Sequence, residues 1–217
     1  MQNIESMTPM IKQYFEVKKK YPAELVFYRL GDFYELFFED AIIASKLLDI
    51  TLTKRNKSSD IHMAGIPHHA AEGYIAKLVQ KGYSVVICEQ VGEVEKAKLV
   101  ERKVTRIITP GTVTDETIID PKSDNELIAI HFEKERFGLS KINVSTGDFV
   151  IYSFDTIDSL VLEVEKIEPA EILLPDNFIV ASLFDQKKSV KKLPASYFSY
   201  ESAIKNLKKY KVINKEQ

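Results

Sequence analysis

The chain has 217 residues, 45% of them hydrophobic and 29% charged, enough for one large or two medium domains with real cores. Residues 1–115 carry 16 Lys+Arg against 15 Asp+Glu and residues 116–217 carry 14 against 17, so neither half is a basic module that grips phosphates by bulk charge. A single cysteine, Cys88, excludes an internal disulfide, and with no N-terminal apolar region and no apolar run near ~18 residues the expectation is no signal peptide and no membrane partner.

In chain order, Thr8-Pro9 marks a helix start, Thr as N-cap and Pro at the first helical position. Met10, Ile11, Tyr14, Phe15 and Val17 continue it as an apolar stripe, and Pro22 ends it. Residues 25–30 predict a strand, Gly31-Asp32 a tight turn, and the period over 35–48 predicts a helix with Leu36, Ala41, Ala44, Leu47 and Leu48 on or near one face. A short strand at 51–53 leads to a basic polar loop over 54–60, then to an irregular segment over 62–69 punctuated by Gly65 and Pro67. Residues 70–80 predict a helix stopped by Gly82, and strands over 83–89 and 104–109 complete a small mixed sheet.

The Pro-, Gly- and Thr-rich stretch from Pro110 sets the boundary. The expected organisation is a first domain over 1–115, a linker over 116–124, and a second domain over 125–217 that is truncated at its C-terminus. The second domain restarts with a strand at 126–132 and a hairpin of 138–143 and 149–154 around Ser145-Thr146-Gly147-Asp148. A helix over 155–167, a short buried strand at 172–174 and an amphipathic helix over 197–210 follow. That order resembles an RNase H-like sheet, so the expected class is α/β: two mixed α/β domains, the second RNase H-like.

The densest chemistry lies at 29–38, Arg29-Leu30-Gly31-Asp32-Phe33-Tyr34-Glu35-Leu36-Phe37-Phe38. One reading presents Phe33 and Glu35 on a rigid turn to a DNA base, the ring as an apolar wedge and the carboxylate as a hydrogen-bond partner that also repels intact phosphate backbone. The other makes Asp32-x-x-Glu35 a capping box and the aromatics i,i+4 core pairs. Spacing leaves both open. Lys54 and Arg55 in the basic loop are positioned either to hold phosphates or simply to be solvated. The spacing of His62, His68, His69 and Cys88 matches no zinc pattern, no P-loop occurs, and the acids Asp148, Asp155, Asp158, Glu163 and Glu165 place no carboxylate inside 127–130, where a two-metal nuclease needs one. No catalytic residue and no metal site is expected.

Several stretches resemble the bacterial DNA mismatch repair family MutS. They are Thr8-Pro9-Met10, Gly31-Asp32-Phe33-Tyr34-Glu35-Leu36-Phe37, Leu52-Thr53-Lys54-Arg55, Met63-Ala64-Gly65-Ile66-Pro67-x-His69-Ala70, Ile87-Cys88-Glu89-Gln90 and Arg106-Ile107-Ile108-Thr109-Pro110-Gly111-Thr112. In the second half, Ser145-Thr146-Gly147 and Pro169-Ala170-Glu171-Ile172-Leu173 are similar to that family's connector domain. The resemblance implies that Phe33 stacks on a mispaired base and Glu35 hydrogen-bonds it. It also implies that Lys54, Arg55, Met63 and Pro67 approach the backbone and minor groove. His68 stands where the family has Tyr, and Asn56 where Gly is common. The implied partners are mismatched double-stranded DNA, MutL through the connector and a homodimer in the full-length protein. ATP and Mg would belong to an ATPase domain absent from the chain, in a bacterial cytoplasmic, nucleoid-associated protein. The competing expectation is a structure-specific, metal-dependent DNA nuclease.

Overall fold

The structure is a computed structural model and describes residues 7–55, 60–92, 100–114, 118, 125–184 and 189–210. Residues 56–59 of the expected basic loop, 116–117 and 119–124 of the expected linker, Lys187, Lys188 and the C-terminal residues 211–217 lie outside them. The chain divides into two compact units, Met1–Ser123 and Asp124–Gln217. Among the described residues no helix is long and apolar enough to cross a membrane.

The first unit begins with α1 (Pro9–Lys20), then β1 (Leu25–Leu30), β2 (Phe33–Phe37) and α2 (Phe38–Leu48). The short β3 (Thr53–Lys54) and β4 (His62–Pro67) follow, then α3 (Ala71–Gln80), β5 (Val85–Val91) and β6 (Glu101–Ile108). The sheet order is β3-β4-β2-β1-β5-β6, with β1 parallel to β5 and the other neighbours antiparallel. Leu25, Phe27, Tyr34, Leu36 and Ile66 face the core under α2 and α3. Val26, Tyr28, Phe37, Val86 and Cys88 face Met10, Ile11 and Tyr14 of α1. After β6 the chain stays with this unit, since Val113 and Ile118 belong to the first core.

Residues 33–37 form a strand, and the helix expected over 35–48 starts at Phe38. The capping-box reading of Glu35 falls with it, because Phe37 stands at the N-cap and makes no side-chain cap. The segment over 62–69 is not irregular up to Pro67. It is a strand paired on both sides, against β2 and β3, and its Pro sits at the strand end where a missing donor is tolerated.

Local chemistry explains the β1–β2 hairpin. Leu30 pairs with Phe33, so the loop is Gly31-Asp32, and Gly31 has φ +58°, the pattern of a type II′ turn with glycine first. The strand then leaves its plane at Phe38, which has φ +54°. A bulky residue there costs about 1–2 kcal/mol, and packing offsets it: the Phe38 ring lies 4.9 Å from that of Phe15. Gly31→Ala separates backbone strain from packing, because an added Cβ meets nothing within 4 Å. We expect it to lower stability by about 1–2 kcal/mol, read as a lower urea midpoint at unchanged slope.

In the second unit β7 (Glu126–Glu133), β8 (Arg136–Asn143) and β9 (Phe149–Phe154) form an antiparallel meander. Helix α4 (Ile157–Ile167) crosses to β10 (Glu171–Pro175), parallel to β7, and β11 (Val190–Leu193) adds a further parallel edge. The order β11-β10-β7-β8-β9 encloses Ile128, Ile130, Leu139, Ile172 and Leu174 beneath Leu160 and Val164 of α4. Thr156 caps α4 by accepting the Ser159 N–H at 3.3 Å. The helix expected over 197–210 is broken: a 3-10 turn spans Ala195–Phe198, and α5 (Tyr200–Lys209) restarts behind Ser199, whose hydroxyl accepts the Ser202 N–H at 3.3 Å.

Candidate nucleic-acid interface

Because β2 is a strand, its side chains alternate. Tyr34 and Leu36 point into the core under α2 and α3, while Phe33, Glu35 and Phe37 share the opposite face. Cross-strand register builds rows on that face: Pro67–Phe33–Leu30, Gly65–Glu35–Tyr28 and Met63–Phe37. Helix α1 covers the Phe37 end, and Phe33 at the hairpin end is 46% exposed. Gly65 leaves the place opposite Glu35 empty, and the Phe33 ring lies over it, 3.7 Å from where a Cβ would stand.

The Glu35 carboxylate is half-buried and has no hydrogen-bond or ion-pair partner among the described residues. Burial pushes its pKa above the usual glutamate value, while the positive charges of Arg55 and, less strongly, Arg102 pull it back. Arg55 lies over the Phe37 ring at 5.7 Å and reaches the Met10 sulfur at 3.8 Å. Across the sheet, Tyr28 is buried, and its phenol, pushed up to about 12 by burial, stays neutral.

Of the six residues that sequence pointed to, Phe33, Glu35, Arg55, Met63 and Pro67 lie on this face. Lys54 does not. It pairs with His62 in the adjacent row, and its exposed ammonium holds Asp60 at 3.1 Å. His68 closes the hairpin from the β4 side, its backbone N–H donating to the Asp32 carbonyl at 2.9 Å. The turn is therefore tied to a second element, which stiffens the base on which Phe33 stands.

Sequence reasoning did not single out Arg102, which is 8% exposed. It lies in the charged run Glu101-Arg102-Lys103 and reads as solvated surface there. Only its strand phase marks it: its neighbours Glu101 and Lys103 are exposed. Nor did it single out Tyr28 and Gln13, which link the site to α1 through a hydrogen bond from the Tyr28 hydroxyl to Gln13 Oε1 at 2.6 Å. Among the described residues no three His, Cys, Asp or Glu side chains converge as a metal site.

A family model described as MutS domain I matches residues 8–117, and a second, described as MutS domain II, matches 125–216. The first alone covers more than half of the chain and contains the whole Phe33–Glu35 face. The chain belongs to the MutS family, of which it carries domains I and II.

Proposed function

We propose that this chain recognises mispaired or unpaired bases in duplex DNA by inserting Phe33 beside the base and hydrogen-bonding that base through Glu35. The two MutS domains support a mismatch-recognition and connector role in DNA repair. The observation that carries the finer reading is the pairing, on one rigid hairpin, of a 46% exposed Phe33 with a Glu35 carboxylate that has no partner among the described residues. Wedging between stacked bases costs a few kcal/mol per step, and the cost falls where a mismatch already stacks poorly.

Glu35 adds chemistry that the wedge lacks. Ionised, it accepts a hydrogen bond and repels phosphates; protonated, it donates one. Its raised pKa makes the neutral form accessible nearer neutrality than for an ordinary glutamate. The native state binds this proton more tightly than the unfolded chain, so stability falls as pH rises through the interval between the ordinary and the raised value. That is a cost carried at a functional position, and a base that hydrogen-bonds the carboxyl relieves it.

Around this pair, Arg55 and Lys54 would meet phosphates and Met63 and Pro67 the minor groove. The exposed Lys54–Asp60 pair is worth little and exchanges readily for a phosphate. The second domain would relay to an ATPase domain and contact MutL, within a homodimer of the full-length protein in the bacterial cytoplasm, on the nucleoid. ATP and Mg belong to that ATPase domain in this reading, since no P-loop occurs in the 217 residues.

The test is Glu35→Ala in full-length MutS. Loss of the carboxylate should tighten binding to matched duplex and weaken discrimination by about tenfold or more, the scale of one base-edge contact. Competition of matched and mismatched duplexes at one fixed salt concentration reads this directly. Unchanged discrimination in a stably folded variant would remove Glu35 from recognition.

A further inference from the structure

Arg102 and Glu35 share a peculiarity. Among the described residues, no carboxylate pairs with the buried Arg102, and no donor at hydrogen-bond distance and no cation at ion-pair distance meets the half-buried Glu35. Burying a guanidinium without a counter-ion is expensive, so its other contacts need to be good. They are: Nε donates to the Arg29 carbonyl at 2.7 Å, Nη1 donates to the Val100 carbonyl at 2.9 Å and to Gln13 Oε1 at 3.4 Å, and the guanidinium lies 5.1 Å above the Tyr28 ring. Gln13 Oε1 also accepts the Tyr28 hydroxyl, so one amide oxygen of α1 ties both groups together. Tyr28 stands directly opposite Glu35 on the same face. The order across the site is thus a fixed cation, an aromatic ring held by that cation, and Glu35 in the register position opposite that aromatic residue.

We propose that Arg102 is a positioning residue for Glu35: it locks the Tyr28 ring, whose residue pairs with Glu35 across the strands, and presents a fixed positive charge on the face that carries the carboxylate. The proposal rests on the reading that Glu35 meets the base. A flat, immobile ring limits the positions open to the carboxylate, and a cation that cannot leave sets how readily Glu35 takes up a proton. Arg55, from the β3 side, is the other charged group facing Glu35, and it is only half-buried. From β1 and β5 the titratable neighbours on this face are the Tyr28 phenol and the Cys88 thiol, both pushed up to about 12 by burial, and from α1 the Tyr14 phenol, also raised by burial. All three are neutral over the relevant range. Gly65 on β4 brings no charge. Arg102 and Arg55 therefore act on Glu35 through charge alone, from the β6 and β3 sides, one fixed and one reachable from solvent.

The experiment is a side-chain carboxyl NMR titration of Glu35 in this chain, without DNA, for the native sequence, Arg102→Met and Arg102→Gln. The glutamine keeps a donor for the Arg29 carbonyl, so one neutral variant remains if the other fails to fold. In either, the Glu35 midpoint should rise by roughly half a pH unit, and Arg102→Lys should restore most of the difference. In full-length MutS the pH profile of mismatch preference should move upward with it. An unmoved Glu35 midpoint in a folded neutral variant overturns the proposal, as does a moved midpoint with an unmoved pH profile where Glu35→Ala does lower mismatch preference. If the midpoint moves but Glu35→Ala leaves mismatch preference intact, the base-contact reading fails while the coupling between Arg102 and Glu35 stands.

Discussion

Phe33→Ala should reduce the preference of full-length MutS for a mismatched over a matched duplex by about tenfold to a hundredfold, the equivalent of one lost base–aromatic stack of about 1–3 kcal/mol. Folding stability should change by no more than about 0.5 kcal/mol, as for a surface substitution. The separation of the two effects follows from position. Phe33 is 46% exposed, it lies over a glycine rather than in a core cluster, and its backbone pairing to Leu30 and Pro67 does not depend on the ring. The native fold thus gains little from the ring, while an unstacked base gains a π-face. Phe33→Leu refines the point: an aliphatic wedge still opens the step but stacks poorly, so it should fall between phenylalanine and alanine. Competition binding at one salt concentration, with urea midpoints for the same variants, decides it. Preference unchanged at unchanged stability would end the stacking role.

The outline of both units was legible because it rests on local chemistry. Thr8-Pro9 starts α1, Gly82 follows α3, and the Ser145–Asp148 turn joins β8 to β9. The site's secondary structure was not legible, for a definite reason. Leu36 and Phe37 fit a helical stripe with Ala41 and Ala44 as well as they fit a strand, and a short apolar run does not distinguish the two. The decision comes from long-range pairing of β2 with β4, whose own sequence, interrupted by Gly65 and Pro67, looks irregular in isolation. The change of period falls at Phe38, whose positive φ no sequence rule anticipates for phenylalanine. The consequence for function is large. In a helix Phe33 and Glu35 would lie about 200° apart around the axis; in a strand they stand side by side on one face. Arg102 was hidden by its charged neighbours, and β11 by the two lysines in its four-residue span.

Asp40→Ala should lower the stability of the first unit by about 3–5 kcal/mol, the largest single-residue effect we expect on the fold. Asp40 is 3% exposed in the first turn of α2, and it gathers three elements at one carboxylate. Oδ2 accepts the Tyr14 hydroxyl from α1 and the Val26 N–H from β1, each at 3.0 Å, and Oδ1 pairs with Lys18 Nζ at 2.7 Å. Removal leaves a buried backbone N–H unsatisfied, at about 1–3 kcal/mol, and leaves the Tyr14 hydroxyl only its longer bond to the Phe37 carbonyl at 3.4 Å, whereas Lys18, with 23% side-chain exposure, returns to water more cheaply. Asp40→Asn tests this apportionment. Its amide oxygen still accepts from Tyr14 and Val26 but loses the ion pair, so it should cost about half as much or less. Urea midpoints at unchanged slope give both values. Similar losses for alanine and asparagine would mean that the Lys18 charge, not the buried donors, dominates. The carboxylate also reaches the Phe33–Glu35 face indirectly. It holds α1 against Phe37, the far end of the strand that presents Phe33 and Glu35, so a destabilised Asp40 variant should lose mismatch preference together with amide protection in β2, whereas Phe33→Ala should lose the preference alone.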